Sequence, residues 1–326
     1  MTLLLDDATV QSTFDWNLAI TALREAYAAA DDDARFPTRV IARGGGNWVR
    51  TLSGVSGDSG LMGTKTIAGA MGPRQFSYLI SLFDQSSAEL VALLDGNSIT
   101  GYRTAATSAL ATGALAVPGP LDVSVIGSGF EAKKHVRALA AVRDLKSVHV
   151  HSPRAQSRAR FADELADLGT TIVPAESPQA AIAGTSLVIC AARSYDETPI
   201  LLGAWLEPGM TVVSIGSTVR EQREVDTEVI RRADVVIADV VEEVLHDTGD
   251  LIAAREAGID VSDRTSSLAS LVGGSAPGRT SDRQIVLYKS VGSAIQDLAV
   301  AAMCARRAQE AGLGVQLPIR IQPVHK

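Results

Sequence analysis

The residues that most clearly point to chemistry lie in one short run, Val123-Ser124-Val125-Ile126-Gly127-Ser128-Gly129-Phe130-Glu131-Ala132. An apolar strand runs into G-x-G-x-x-A and then into a helical segment, the arrangement that binds a dinucleotide pyrophosphate. Gly127 permits the tight turn, Gly129 lets the backbone come close to phosphate, and Ala132 keeps the helix near the sheet. The exposed amides and positive dipole end of that helix then face the anion. Ser128, Phe130 and Glu131 belong to the same turn and are candidate cofactor contacts.

The end of the next strand selects the cofactor. A carboxylate there would bind adenosine ribose hydroxyls and repel a 2′-phosphate. Here the chain reads His151-Ser152-Pro153-Arg154, with Arg158 one turn later and no acidic residue before Asp163. Ser152, Arg154 and Arg158 suit a dianionic phosphate, so NADP is expected, with NAD the alternative. Ala191, Ile215, Gly216 and Ser217, at the ends of later strands, complete the expected cofactor contacts.

These residues need elements to position them, and the chain supplies two rhythms. Up to about residue 118, a helix over 15–30 precedes Gly-punctuated apolar runs at 47–52, 60–68, 77–84 and 90–95, which predict an antiparallel sheet. An Ala-rich helix over 98–116 follows and ends at Pro118-Gly119-Pro120. From there, strand-like runs at 123–126, 148–151, 171–173, 187–191, 211–215 and 235–238 alternate with helices, predicting a parallel sheet covered on both faces. A last helix is expected over 290–311. The fold class is α/β: a doubly wound Rossmann sheet over 119–289, inserted into an α+β domain for substrate binding and dimerisation, formed by 1–118 and 290–326.

Composition narrows the function classes. The 326 residues are 46% hydrophobic and 21% charged, enough to bury a sizeable core. A net charge of −7 offers no basic stripe for nucleic acid. The one acidic run, Asp31-Asp32-Asp33, reads as a helix end. No apolar stretch approaches the length of a membrane span and no signal peptide is apparent. Cys190 and Cys304 read as reduced, buried residues of a cytoplasmic protein. The five histidines lack metal-ligand spacing, so no metal is expected. His135 and His246 read as packing or surface residues, and His151 at most touches the adenosine end.

Taken with the glycine turn, Gly101-Tyr102-Arg103-Thr104-Ala105-Ala106-Thr107-Ser108 and Tyr288-Lys289-Ser290-Val291-Gly292-Ser293-Ala294-Ile295-Gln296-Asp297 resemble the ornithine cyclodeaminase/mu-crystallin family. The resemblance extends to Gly60-Leu61-Met62-Gly63-Thr64-Lys65 and to the 220–226 stretch. It implies a homodimer acting on small α-amino or α-imino acids in amino-acid metabolism. The family spans cyclodeaminases, amino-acid dehydrogenases, cyclic ketimine reductases, opine-like synthases and a hormone-binding lens protein, and the resemblance alone does not choose among them. It further implies that Arg103 binds the substrate carboxylate, that Thr104 reaches cofactor phosphate, and that Lys65 binds substrate and moves a proton. Arg39, in Pro37-Thr38-Arg39, and Arg50 are further carboxylate clamps. Asp297 would orient Lys65 or a substrate amine, and Gly292 would let the backbone approach the nicotinamide.

Two departures bear on the reaction. Where cyclodeaminases of the family carry an aspartate after the fifth strand, this chain has Thr218, which cannot act as a base near neutral pH. Leu52-Ser53-Gly54 stands where a glutamate is usual. The expected activity is therefore NAD(P)H-dependent reduction of the C=N bond of a small imino acid, formed from a 2-oxo acid with ammonia or an amine, or preformed as a cyclic ketimine. A cyclodeaminase-type lyase and a non-catalytic NADPH- and ligand-binding protein are the alternatives.

Overall fold

A computed structural model describes residues 2–30, 33–57, 59–192, 198–318 and 321–324, without the side chain of Asp33. Asp31 and Asp32 of the acidic run lie outside the described residues. The chain divides into two compact units, Met1–Arg103 with Ser293–Lys326, and Thr104–Gly292.

The first unit is built on a seven-stranded sheet. Its strands are β1 (Leu3–Leu5), β2 (Val40–Gly44), β3 (Asn47–Val55), β4 (Leu61–Ala70), β5 (Gln75–Asp84), β6 (Leu90–Asp95) and, from the end of the chain, β15 (Val315–Gln316). The spatial order is β15-β1-β6-β5-β4-β3-β2. The β2 to β6 meander is antiparallel, as the Gly-punctuated runs predict, whereas β1 joins β6 in parallel. Neither β1 nor β2 is predicted from the sequence: β1 spans three residues, and β2 leaves most of its side chains exposed.

Helices α1 (Asp7–Thr13) and α2 (Trp16–Ala28) precede the meander. Asp15 caps α2 by accepting from the Leu18 amide at 2.9 Å, satisfying an otherwise orphan donor. The long helix α3 (Asn97–Leu115) contributes its first turns, to Arg103, to this unit and the rest to the second. The last helix, α11 (Ala294–Glu310), packs on α2 and on β3 to β5. A Cβ at Gly63 would lie 2.0 Å from the Ser81 carbonyl oxygen and 3.1 Å from Leu298 of α11, so only glycine lets helix and sheet approach there. The expected start of α11 at residue 290 moves to Ala294, because Ser290–Gly292 is drawn into a loop by Asp239, described below.

The second unit is an eight-stranded parallel sheet. Its strands are β7 (Leu121–Ile126), β8 (Leu145–His151), β9 (Thr171–Pro174), β10 (Leu187–Cys190), β11 (Thr211–Ser214), β12 (Val235–Ala238), β13 (Thr265–Ser267) and β14 (Val286–Lys289). Their order, β13-β12-β14-β11-β10-β7-β8-β9, reverses direction between β7 and β10. That is the switch point where open α/β sheets bind ligands beyond the carboxyl ends of their strands. Connecting helices are α4 (Phe130–Ala140), α5 (Ala155–Glu164), α6 (Pro178–Ile182), α7 (Thr227–Arg232), α8 (Val241–Asp247), α9 (Gly249–Glu256) and α10 (Leu268–Val272). Every residue of β10, β11 and β14 is buried, which explains their unbroken apolar runs: a parallel strand covered on both faces has no solvent side to mark.

Candidate active site and cofactor cradle

In the first unit, strand alternation places Leu52, Lys65 and Ile80 side by side on the face of the sheet that α11 covers. The next row on that face is Arg50, Ile67 and Tyr78, and beyond it Trp48, Gly69 and Phe76. Lys65 is 1% exposed, and its Nζ donates to Asp297 Oδ1 at 2.9 Å across 232 residues of chain. Arg103 Nε lies 3.0 Å from the same oxygen. The Arg103 guanidinium also donates to Gln296 Oε1, and Gln296 Nε2 donates to the Tyr27 hydroxyl at 2.9 Å. That second bond fixes which end of the Gln296 amide faces the arginine. Asp297 is fully buried, and its Oδ2 has no hydrogen-bond partner among the described residues.

Burial drives Lys65 towards its neutral form. Asp297 opposes this, the positive Arg103 and Arg50 assist it, and the balance lowers the ammonium to about 8. A lysine so placed exchanges a proton near neutral pH. Arg50 is half-buried with its guanidinium 5.2 Å from the centre of the Trp48 ring, and Lys65 Nζ stands 5.7 Å from the Tyr78 ring. Arg39 is half-buried immediately before the edge strand β2, two strands from β4. Lys65, Arg103 and Asp297 are thus brought into direct contact, with Arg50 near enough to act on Lys65 electrostatically. Gln296 and Tyr27 join them without having been singled out in the sequence. Gln296 could have been suspected as the neighbour of Asp297, but nothing in the sequence ties Tyr27 to a motif 269 residues away.

In the second unit, Gly127 has φ +119°, and a Cβ there would lie 2.6 Å from the Ala191 carbonyl oxygen at the end of β10. Only glycine makes this turn. Gly129 is the N-cap of α4 and provides no side-chain cap, and a Cβ on it would enter open space. The first-turn amides of an eleven-residue helix therefore face a clear approach. Phe130 is 50% exposed beside it, Glu131 is half-buried, and Ala132 is buried against the sheet. The hydroxyls of Ser128 and Ser152 lie 2.9 Å apart, linking the glycine turn to the end of β8.

Arg154 is exposed at the N-cap of α5. Arg158 is turned inward instead, 5% exposed, donating to the Ser152 carbonyl at 2.8 Å and to Glu176 at 2.9 Å. Arg154 is the N-cap, with extended backbone outside the helix, whereas Arg158 lies within α5 on the buried face it shares with Phe161, so it braces the β8–α5 turn. Ile215, Gly216 and Ser217 follow β11, and Gly292 follows β14 with φ +83°. Asp239 holds that last loop, accepting from the Ser290 hydroxyl and the Val291 and Gly292 amides at 2.6, 3.0 and 2.7 Å. Thr104 is half-buried where α3 enters this unit. A glycine turn closed to any side chain and an uncapped helix start with open space in front of Gly129 suit a dinucleotide pyrophosphate.

His135 is 1% exposed and held by the Glu131 carbonyl at 2.7 Å and the Ser108 hydroxyl at 3.0 Å. It pins α4 to α3, the packing role expected of it. His246 is half exposed on α8, near Glu242.

The sheet order and the glycine turn define a Rossmann-type α/β protein, with a buried lysine–aspartate–arginine cluster in its other unit. A profile of the ornithine cyclodeaminase/mu-crystallin family matches residues 62–312, and the chain belongs to that family. Ketimine reductase mu-crystallin of Mus musculus is 30% identical over 224 residues, which span 69% of this chain and 67% of the relative. The solved structure of Thermococcus litoralis Delta(1)-pyrroline-2-carboxylate reductase, in complex with NADH and L-proline, is similar with a TM-score of 0.89. It is 27% identical and covers 97% of this chain and 100% of its own. A probable ornithine cyclodeaminase from Bordetella pertussis Tohama I has a TM-score of 0.86 at 32% identity, covering 97% and 100% of the two chains.

Proposed function

We propose that the chain is an NAD(P)H-dependent oxidoreductase that reduces the C=N bond of a small imino acid to the amino acid, and runs in reverse as a dehydrogenase. The observation that carries this reading is the buried contact of Lys65 and Arg103 with one aspartate oxygen. Arg103 is gripped at Nε by Asp297 and at its terminal nitrogen by Gln296, so the guanidinium fork is preset for a planar carboxylate. Arg50 and Arg39 add positive charge in the same unit. Lys65, lowered to about 8, delivers a proton to the substrate nitrogen and recovers it from solvent near neutral pH. Asp297 sets the direction of Nζ, and its unpaired Oδ2 suits a substrate N–H. Fixing the acid in one pose removes much of the entropic part of the barrier.

The dinucleotide, when bound, supplies or accepts the hydride. Gly127, Ser128, Gly129, Phe130, Glu131 and Ala132 would hold its pyrophosphate, with Thr104 as a further phosphate contact. Ser152 and Arg154 would meet the adenosine ribose; Arg158 supports that turn from within. The exposed guanidinium of Arg154, where a carboxylate would be needed to favour NAD, supports NADP. Ala191, Ile215, Gly216, Ser217 and Gly292, at the carboxyl ends of β10, β11 and β14, would line the ring end. Two relatives carry reductase names, mu-crystallin ketimine reductase and a pyrroline-2-carboxylate reductase in complex with NADH and L-proline, which supports the direction proposed here. Thr218 offers no base for a cyclodeaminase.

A homodimer is supported by the sheet face opposite Lys65. Val40, Val49, Val55 and Leu79 share it, among threonines and serines, and are 71%, 45%, 39% and 46% exposed, apolar side chains that a second copy of the chain would cover. Among the described residues no helix is long and apolar enough to cross a membrane. Cys190 and Cys304, free and buried, fit a reducing cytoplasm.

The test is a screen of NADPH oxidation with cyclic ketimines and with 2-oxo acids plus ammonia or methylamine. Turnover with at least one imino acid, and none with the same acids lacking the amine, is the expected result. Net lyase activity without change in NADPH would overturn the reading.

A further inference from the structure

The second unit contains a buried charged cluster that none of the steps above uses. Lys289, the last residue of β14, is fully buried and lies 2.9 Å from Asp250 Oδ2. Its Nζ also donates to the Ser214 hydroxyl at 2.9 Å. Ser214 ends β11 and donates to Glu224 Oε2 at 2.7 Å, and the same oxygen accepts the Gly216 amide at 2.9 Å. Asp250 Oδ1 accepts the Glu224 and Val225 amides at 2.7 and 3.1 Å. Glu224 is 1% exposed, and its Oε1 has no hydrogen-bond partner among the described residues. A Cβ on Gly216 would lie 2.3 Å from that oxygen.

Burying two carboxylates with one ammonium is costly, and apolar residues of like volume would serve stability as well or better. What the cluster achieves is local order. It ties the turn leaving β11 to the returning chain at 224–225, and Ser217 and Thr218 close the same turn through bonds to the Gln222 carbonyl and side chain. In an open parallel sheet, the carboxyl end of such a strand is where a ligand rests.

We propose that Glu224 is a positioning residue for the dinucleotide: through the Gly216 amide it fixes the Ile215–Ser217 turn against which the ring end of the cofactor lies. The proposal rests on the dinucleotide reading given above. Burial raises the Glu224 carboxyl to about 7, opposed by Lys289 and by the Ser214 and Gly216 bonds, and assisted by Asp250. The groups facing it are Lys289 from β14, Asp250 from α9 and the Cys190 thiol from β10, itself pushed up by burial. An ionised acceptor holds an amide more firmly than a neutral one. Cofactor affinity in the wild type therefore strengthens as pH rises through about 7.

The experiment compares wild type, Glu224→Gln and Glu224→Ala. It measures the NADPH dissociation constant by fluorescence between pH 6 and 8.5, and the exchange of the Gly216 and Ser217 amides in the cofactor-free protein. In Glu224→Gln, which keeps the shape but cannot ionise, the part of the pH slope centred at about 7 should be lost, leaving that of the NADPH phosphate at about 6, and binding at pH 8 should weaken about five-fold. In Glu224→Ala the Gly216 amide, which loses its acceptor, should exchange at least about ten-fold faster, with the Ser217 amide as the internal comparison. Should the alanine variant fail to fold, the glutamine variant carries the test alone. Variants that bind NADPH as wild type does, with the same pH slope and unchanged amide exchange, would overturn the proposal. A wild type that binds neither NADPH nor NADH would instead remove the dinucleotide reading, and the proposal with it.

Discussion

At the scale of single residues, the proposed working parts are a lysine whose pKa burial lowers and an arginine oriented by its neighbours. Lys65 is protonated below about 8 and neutral above it, so imine reduction, which needs its proton, should decline as pH rises through that value. Lys65→Ala should reduce kcat/KM at least about 100-fold while leaving NADPH affinity within about two-fold, as removal of a general acid does. Steady-state kinetics with a cofactor titration separates the two, and wild-type turnover in the variant would remove Lys65 from the chemistry. Gln296 is proposed to orient Arg103 without adding a second negative charge beside the one Asp297 already supplies, so Gln296→Glu should raise KM for the acid about ten-fold with a smaller change in kcat. Arg154→Asp should move the NADPH/NADH preference towards NADH, and an unchanged ratio would dismiss the role given to its guanidinium.

At the scale of elements, two packed helices report on how the scaffold holds these residues. His135 joins α4 to α3 while burial keeps its imidazole neutral, lowering it from 6.5 to about 4. The unfolded chain takes up this proton first as pH falls. The stabilisation is therefore complete above about 6.5 and is lost between there and about 4, on the order of 3 kcal/mol in all. Replacing His135 with Gln should flatten the acid limb of a plot of melting temperature against pH. Much of the scaffold is legible in the sequence where a pattern is local: the capped α2, the β7–Gly127–α4 turn and six of the eight parallel strands, all but β13 and β14, carry signals within a dozen residues. The strands β1 and β2 do not, being too short or too exposed for periodicity to register. The site is legible only in part. Lys65, Arg103 and Asp297 come from motifs, but the Tyr27–Gln296 bond and the Glu224–Lys289–Asp250 cluster arise from packing between distant segments. Arg158 illustrates the limit: its type suits a phosphate, yet it is buried beside Phe161 and spent on the Ser152 carbonyl and Glu176.

At the scale of the whole molecule, the chain carries one unit that concentrates positive charge around a buried aspartate and another shaped around a glycine turn. The proposed dimer has its own test: Val49→Lys with Leu79→Lys should convert a dimer to a monomer in sedimentation, whereas a wild type that is already monomeric would refute the pairing. The reductase reading is tested most directly by following the transferred atom. NADPH carrying deuterium on the transferred position is mixed with an imino acid found to be turned over, and the amino acid formed is examined by mass spectrometry and NMR. One deuterium at Cα for each NADP+ produced is the expected result. An amino acid free of deuterium, or product formed with no NADPH consumed, would contradict the assignment.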